Sequence, residues 1–373
     1  MKRLLAALVV LAAFDAAAQA PTPPPIAARA YILVDGQSGQ TLAELAPDER
    51  LEPASLTKLM TAYLTFDALR AKRLDLAQPV SVSERARQMG GSRMFLEAGK
   101  PVSVEDLIRG MAVVSGNDAA VALAEAVAGS EAAFVALMNR QAQRLGLANT
   151  RFANASGVPA PEHYATARDL ATLALALLRD FPDRLAPYAQ KELVWNRITQ
   201  SNRNRLLWID PAVDGLKTGF TESAGYCMVA SAKRGDRRLV SVVTGAQSDA
   251  LRATESLRLL NFGFQAFETR LLFRKDASVA TPEVFKGTRS AMPLGFDRDI
   301  WLTLPSGRFT GLSSQLETQQ PFVAPYSRGQ KAGIMKLRRE QATVAQFPVV
   351  ALDDVPVGGF LSRGWDTLRL LFR

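Results

Sequence analysis

The sequence predicts a mixed α/β (α+β) fold: an antiparallel sheet with helical layers, a small β-rich domain, and a C-terminal amphipathic helix. Three observations predict it. Strand-like segments lie at both ends of a long Ala/Leu-rich helical block. Near residue 272 the pattern changes to short strands separated by Pro, Gly and Asp. After Gly358-Gly359 the chain places Phe360, Leu361, Trp365, Leu368, Leu371 and Phe372 on one helical face and Ser362, Arg363, Asp366, Arg369 and Arg373 on the other.

Taken in order, residues 1–20 read as a secretory signal: Lys2 and Arg3, an apolar run over 4–14, and a small-x-small site at Ala18-Gln19-Ala20. That run is shorter than the ~20 apolar residues a membrane span needs. Residues 21–25, Pro-Thr-Pro-Pro-Pro, read as a stiff exposed linker. Residues 30–34 and 41–45 flank a Gly-rich turn and pair as a hairpin. Helices are expected over 53–69, 104–114, 118–128, 131–145 and 166–178, where apolar residues recur at helical spacing. Residues 225–233 and 237–244 bracket Arg234-Gly235-Asp236, a second hairpin signal. Beyond 272, strands are expected at 278–280, 299–304, 313–317, 333–337 and 342–352.

Net charge is +9, from 45 Lys and Arg against 36 Asp and Glu. The basic residues are dispersed without interleaved aromatics, which argues against nucleic acid, whereas a cationic tail suits an anionic membrane surface. Cys227 is the only cysteine, so no intramolecular disulfide forms, and no His/Cys cluster points to a metal.

Three short motifs carry the chemistry: Ser55-Leu56-Thr57-Lys58, Ser115-Gly116-Asn117 and Lys217-Thr218-Gly219. Each alone is weak, since Ser-x-x-Lys occurs on surface helices and Ser-Gly-Asn suits a capping turn. Together they supply a nucleophile, an amine to take its proton, a polar relay and a strand to hold substrate. Ser55 and Lys58 share a helix face three residues apart, near the start of a segment opened by Pro53. His163, the one histidine, has no Gly-x-Ser-x-Gly elbow to serve and reads as structural support near the cleft.

In that order, with Pro53-Ala54 before the first motif, Asp118-Ala119-Ala120 after the second and Val213-Asp214-Gly215-Leu216 before the third, the chain resembles the low-molecular-mass penicillin-binding proteins that are D-alanyl-D-alanine carboxypeptidases. The resemblance is strong over about residues 28–270. It implies a β-lactamase/transpeptidase-like domain over 26–271, a C-terminal β-sandwich over 272–357 and a membrane-anchor helix over 358–373, after a signal peptide over 1–20. It implies Ser55 as the acylated nucleophile, Lys58 as its base, and Ser115 and Asn117 in proton relay and substrate binding. Lys217, Thr218 and Gly219 would form the binding strand, and the backbone N–H groups of Ser55 and Phe220 the oxyanion hole. Some relatives carry histidine where Phe220 stands. Arg203 and Arg252 match arginines placed near the substrate carboxylate.

The implied function is removal of the terminal D-alanine from peptidoglycan stem peptides, with no metal or organic cofactor. β-Lactam antibiotics would acylate the same serine. The enzyme would be exported and held at the periplasmic face of the inner membrane by its tail; oligomeric state is left open. The rivals are a β-lactamase, a D,D-endopeptidase and an inactive cell-wall scaffold. A Ser-Gly-Asn triplet without a Glu-x-x-Leu-Asn motif, together with the extra β domain, weighs against the first.

Overall fold

The computed structural model describes residues 21–371, so the expected signal segment and the last two tail residues lie outside the described residues. A five-stranded antiparallel sheet organises the first unit, in the order Thr41–Leu45, Ala30–Asp35, Arg237–Ala246, Gly225–Arg234, Val213–Thr221. The two expected hairpins are its outer pair and its Gly225–Ala246 pair. Val213–Thr221 is an edge strand, so it presents unpaired backbone groups on one side.

Alternate residues of the central strands feed two cores. Ile32, Val34, Val229, Val240 and Val242 pack with the helices Lys58–Arg70, Val104–Val113, Asn117–Ala128 and Ala167–Asp180. Tyr31, Leu33, Met228, Leu239 and Val243 pack on the opposite face with Leu259 and Leu260 of the helix Asp249–Ala266. That eighteen-residue helix is absent from the sequence reading. Ser248 caps it by accepting from the Leu251 N–H, and Gly263 lies where a Cβ would fall 2.7 Å from Leu239 Cδ1, so glycine lets the helix approach the sheet.

The proline-rich start also differs from expectation. Arg258 Nη1 donates to the Pro25 carbonyl at 3.0 Å, and Pro21, Pro23 and Pro24 are half-buried while Thr22 and Pro25 are exposed, so the segment is partly covered and not wholly exposed.

The second unit follows directly from this helix. Phe267–Phe273 pairs antiparallel with Ile300–Pro305, and a five-stranded sheet runs Ser278–Ala280, Leu294–Gly295, Ala342–Ala351, Lys331–Arg339, Leu312–Thr318. Its core is its own, built on Leu294, Phe296, Leu302, Phe322, Met335, Leu337 and Val349. Buried Asp35 joins the two units: it accepts from Arg237 Nε at 3.0 Å and from Thr269 Oγ1 at 2.6 Å.

The described residues end in the helix Phe360–Leu371. Its polar side is docked: the Lys286 N–H donates to Asp366 at 2.6 Å, and Arg369 pairs with Glu283 at 2.5 Å. Phe360, Leu361, Trp365, Leu368 and Leu371 are all exposed.

Candidate active site

Ser55 lies in a single 3-10 turn, Ala54–Thr57, that runs into the helix beginning at Lys58. Three residues make one turn of a 3-10 helix, so positions three apart eclipse. Lys58 therefore stands over Ser55, with Nζ 2.9 Å from Oγ. Ala54 holds φ at +48°, a strained value beside the serine.

Lys58 is buried among carbonyls. Its Nζ donates to Asn117 Oδ1 at 2.7 Å and to the Ser156 carbonyl at 2.6 Å. Burial lowers its pKa to about 7, opposed by the negative charge of Asp118. A neutral amine has two N–H groups and one lone pair. Two fixed carbonyl acceptors use the N–H groups, which leaves the lone pair for the Ser55 hydroxyl proton.

The second motif joins two helices. Ser115 turns the chain at φ +62°, and Asn117 opens the helix Asn117–Ala128. Asn117 Nδ2 donates to the Gly90 carbonyl at 2.7 Å, so both ends of the amide are fixed. Asp118, to which the sequence assigned no role beyond its place in the motif, accepts from the Met94 and Leu96 N–H groups at 3.0 and 3.1 Å. It thereby holds the loop whose Gly91 and Ser92 line the cleft.

The third motif lies on the edge strand. Lys217 Nζ donates to Ser115 Oγ and to the Thr218 carbonyl, both at 2.9 Å. Burial lowers its pKa well below the usual lysine value, and the charges of Lys58, Arg252 and Arg203 push the same way. A Cβ at Gly219 would lie 3.1 Å from Ala54 Cβ and 3.2 Å from the Ser55 nitrogen, so glycine lets strand and nucleophile turn touch.

The two arginines differ in availability. Arg203 is exposed, lines the cleft and has no ion-pair or hydrogen-bond partner among the described residues. Arg252 is 5% exposed and already engaged: it donates to the Gly219 carbonyl at 2.9 Å and pairs with Asp249. Its first effect is to hold the strand. Asp249 also pairs with Arg205, so among the described lining residues one carboxylate stands with three arginines, Arg203, Arg205 and Arg252.

The hydrogen-bond partners of His163 are Thr57, Ala153 and Asn154. Its Nδ1 accepts from the Ala153 N–H at 3.0 Å, so the proton is on Nε2, which donates to Thr57 Oγ1 at 2.8 Å. Burial holds its pKa down to about 4. The Ser156 carbonyl is placed by a turn in which Asn154 Oδ1 accepts from the Ser156 and Gly157 N–H groups. Ser55, Ser115, Asn117, Arg203, Thr218 and Arg252 line a cleft of about 710 Å³ along the free edge of the sheet.

A serine bonded to a buried lysine, beside the edge strand of an antiparallel sheet, defines a serine acyl-transfer enzyme of the penicillin-binding kind. Residues 17–248 match the D-alanyl-D-alanine carboxypeptidase family, and residues 267–357 match the C-terminal domain of penicillin-binding protein 5. The chain is 43% identical to D-alanyl-D-alanine carboxypeptidase DacC of Escherichia coli, over 96% of this chain and 91% of that one. Its fold is similar to penicillin-binding protein 5 of Haemophilus influenzae, with TM-score 0.87 and 38% identity over 90% of this chain and 99% of that one. It is also similar to penicillin-binding protein D2 of Listeria monocytogenes in the ampicillin-bound form, with TM-score 0.60 and 30% identity over 65% of this chain and all (100%) of that one. The chain belongs to this carboxypeptidase family and is a serine-type D-Ala-D-Ala carboxypeptidase.

Proposed function

We propose that Ser55 is the nucleophile and Lys58 its general base. The observation that carries this is the set of partners around Lys58 Nζ: two carbonyl oxygens and the Ser55 hydroxyl, with burial drawing the amine toward neutrality.

The Ser55 oxygen attacks the carbonyl joining the last two D-alanines of a peptidoglycan stem, and its proton passes to Lys58. The oxyanion rests on the N–H groups of Ser55 and Phe220. Ser115, held by Lys217, passes a proton to the departing amine as the C–N bond breaks. D-Alanine leaves, and water then hydrolyses the ester, returning the proton to Ser55. Asn117 binds the acyl half of the peptide. Thr218 and Arg203 receive the terminal carboxylate, with Arg252 bracing Gly219 from behind. Penicillins acylate the same serine.

We place the division between the catalytic unit and the β unit where Asp249–Ala266 gives way to Phe267–Phe273, earlier than residue 272. The protein is exported and works at the periplasmic face of the inner membrane, with the tail helix lying in the interface. Support for the anchor is the docking of the helix by Asp366 and Arg369, which leaves its aromatic and leucine face free.

The test is D-alanine release from a Lys-D-Ala-D-Ala peptide by protein beginning at Pro21, beside Ser55→Ala. Release and penicillin adduct should both vanish in the variant. Release that persists there excludes Ser55 as the nucleophile.

A further inference from the structure

Phe220 contributes a backbone N–H to the proposed oxyanion hole, yet its side chain is 50% exposed at the rim of the cleft. On the edge strand, side chains alternate between faces. Gly219 faces Ala54 and the nucleophile turn, so Thr218 and Phe220 face the other way. That is the side of the helix Asp249–Ala266. Phe220 stands opposite Tyr226 in register, and the rings lie 4.4 Å apart at 35°. The Arg252 guanidinium lies 5.4 Å from the Tyr226 ring. Arg252, Tyr226 and Phe220 thus form a continuous ledge from a fixed cation to an open aromatic face. Beyond it a second recess of about 510 Å³ opens between Arg29, Glu222 and Gln247.

A substrate extended along this edge pairs its substituents with strand residues on the same face. Its carboxylate falls at Thr218. A carbonyl oxygen on the Phe220 N–H brings the acyl half against the Phe220 ring. We propose that Phe220 and Tyr226 form a specificity shelf for the acyl half of the substrate, taking a flat apolar or aryl substituent. The proposal rests on the acyl-enzyme reading of Ser55.

The experiment compares two acyl donors that share a penicillin nucleus, one bearing a phenylacetyl and the other an acetyl side chain. Second-order acylation rates are read by intact mass, and the ratio of the two rates is the result. Contact with an aromatic face favours the phenylacetyl donor by about 3- to 10-fold. Phe220→Ala and Tyr226→Leu should each collapse that ratio, and Phe220→Trp should preserve it. Because the readout is a ratio within one protein, a general loss of activity does not imitate it. If Tyr226→Leu does not fold, Phe220→Ala decides, since its ring is half in solvent. An unchanged ratio in Phe220→Ala overturns the shelf. Failure of both donors to acylate the parent protein overturns the Ser55 reading instead.

Discussion

Lowering the pH removes the proposed base without touching a side chain. Lys58 sits at about pKa 7, drawn down by burial and partly restored by Asp118. Below that value the neutral fraction of a single group falls about tenfold per pH unit. Between pH 8 and pH 5 the acylation rate should therefore fall by about two orders of magnitude, following one rising limb with its midpoint near 7. His163, held down to about 4, adds no second limb above pH 5. The assay is the second-order rate of penicillin acylation in buffers of constant ionic strength. Asp118→Asn removes the charge that raises Lys58, so its midpoint should move to lower pH. Lys58→Arg keeps a permanent charge and should lose the ~10²–10⁴-fold contribution of a general base at every pH. The linkage to stability has a definite sign. An unfolded lysine holds its proton to about pH 10.4, whereas the folded one releases it near 7, so unfolding free energy rises with pH across that window. A flat rate from pH 8 to 5, or a midpoint near 10, would refute the assignment of Lys58 as base.

Gly157→Ala should be severe, because a Cβ there would lie 1.8 Å from the Ala54 carbonyl oxygen and the position holds φ +87°. We expect a loss above about 3 kcal/mol in denaturant unfolding, and no penicillin adduct in protein that remains folded. Asp35→Ala leaves Arg237 without its buried partner and should cost about 3–5 kcal/mol, with kcat/KM of the folded enzyme within about twofold; unchanged unfolding would show that Asp35 does not tie the units together. Ending the chain at Gly358 should abolish co-sedimentation with vesicles containing anionic lipid while leaving D-alanine release intact, and equal sedimentation of both forms would remove the anchor.

The chemistry-bearing side chains were legible because their types and order restrict what they can do. Ser55, Lys58, Ser115, Asn117 and Lys217 come together through contacts spanning up to 102 residues. What the sequence did not announce is mostly backbone. Any residue could supply the carbonyls of Ser156 and Gly90, and only the Asn154 turn and the loop held by Asp118 place them there. The helix Asp249–Ala266 escaped notice because it buries Arg252, Glu255 and Ser256 as well as leucines, which blurs its apolar stripe. Ser248 and Asp249 at its start were the available signal. The tail showed two faces in sequence. That the polar one docks on the β unit depends on Glu283 and the Lys286 N–H, residues far from it in the chain.

The two buried lysines explain why such a site suits a peptide ending in a free carboxylate. A buried lysine commonly keeps its charge by pairing with an acidic side chain. Here the partners of Lys58 are a serine hydroxyl, an amide oxygen and a backbone carbonyl, and those of Lys217 are a hydroxyl and a backbone carbonyl. Burial lowers the pKa of both amines, and the charge of Lys58 makes Lys217 harder still to protonate. The acid beside the cleft, Asp249, is committed to Arg205 and Arg252, while Arg203 has no partner among the described residues. The cleft is therefore short of negative charge, and in the proposed binding mode a substrate carboxylate supplies it. In that proposed mode a carboxylate near Lys217 and Arg203 would favour a charged Lys217, and a charged Lys217 would in turn favour a neutral Lys58. A stem ending in an amide offers no such charge. On the proposed mechanism, the electrostatics that draw the terminal D-alanine into place thus also favour the form of Lys58 that can take the Ser55 proton.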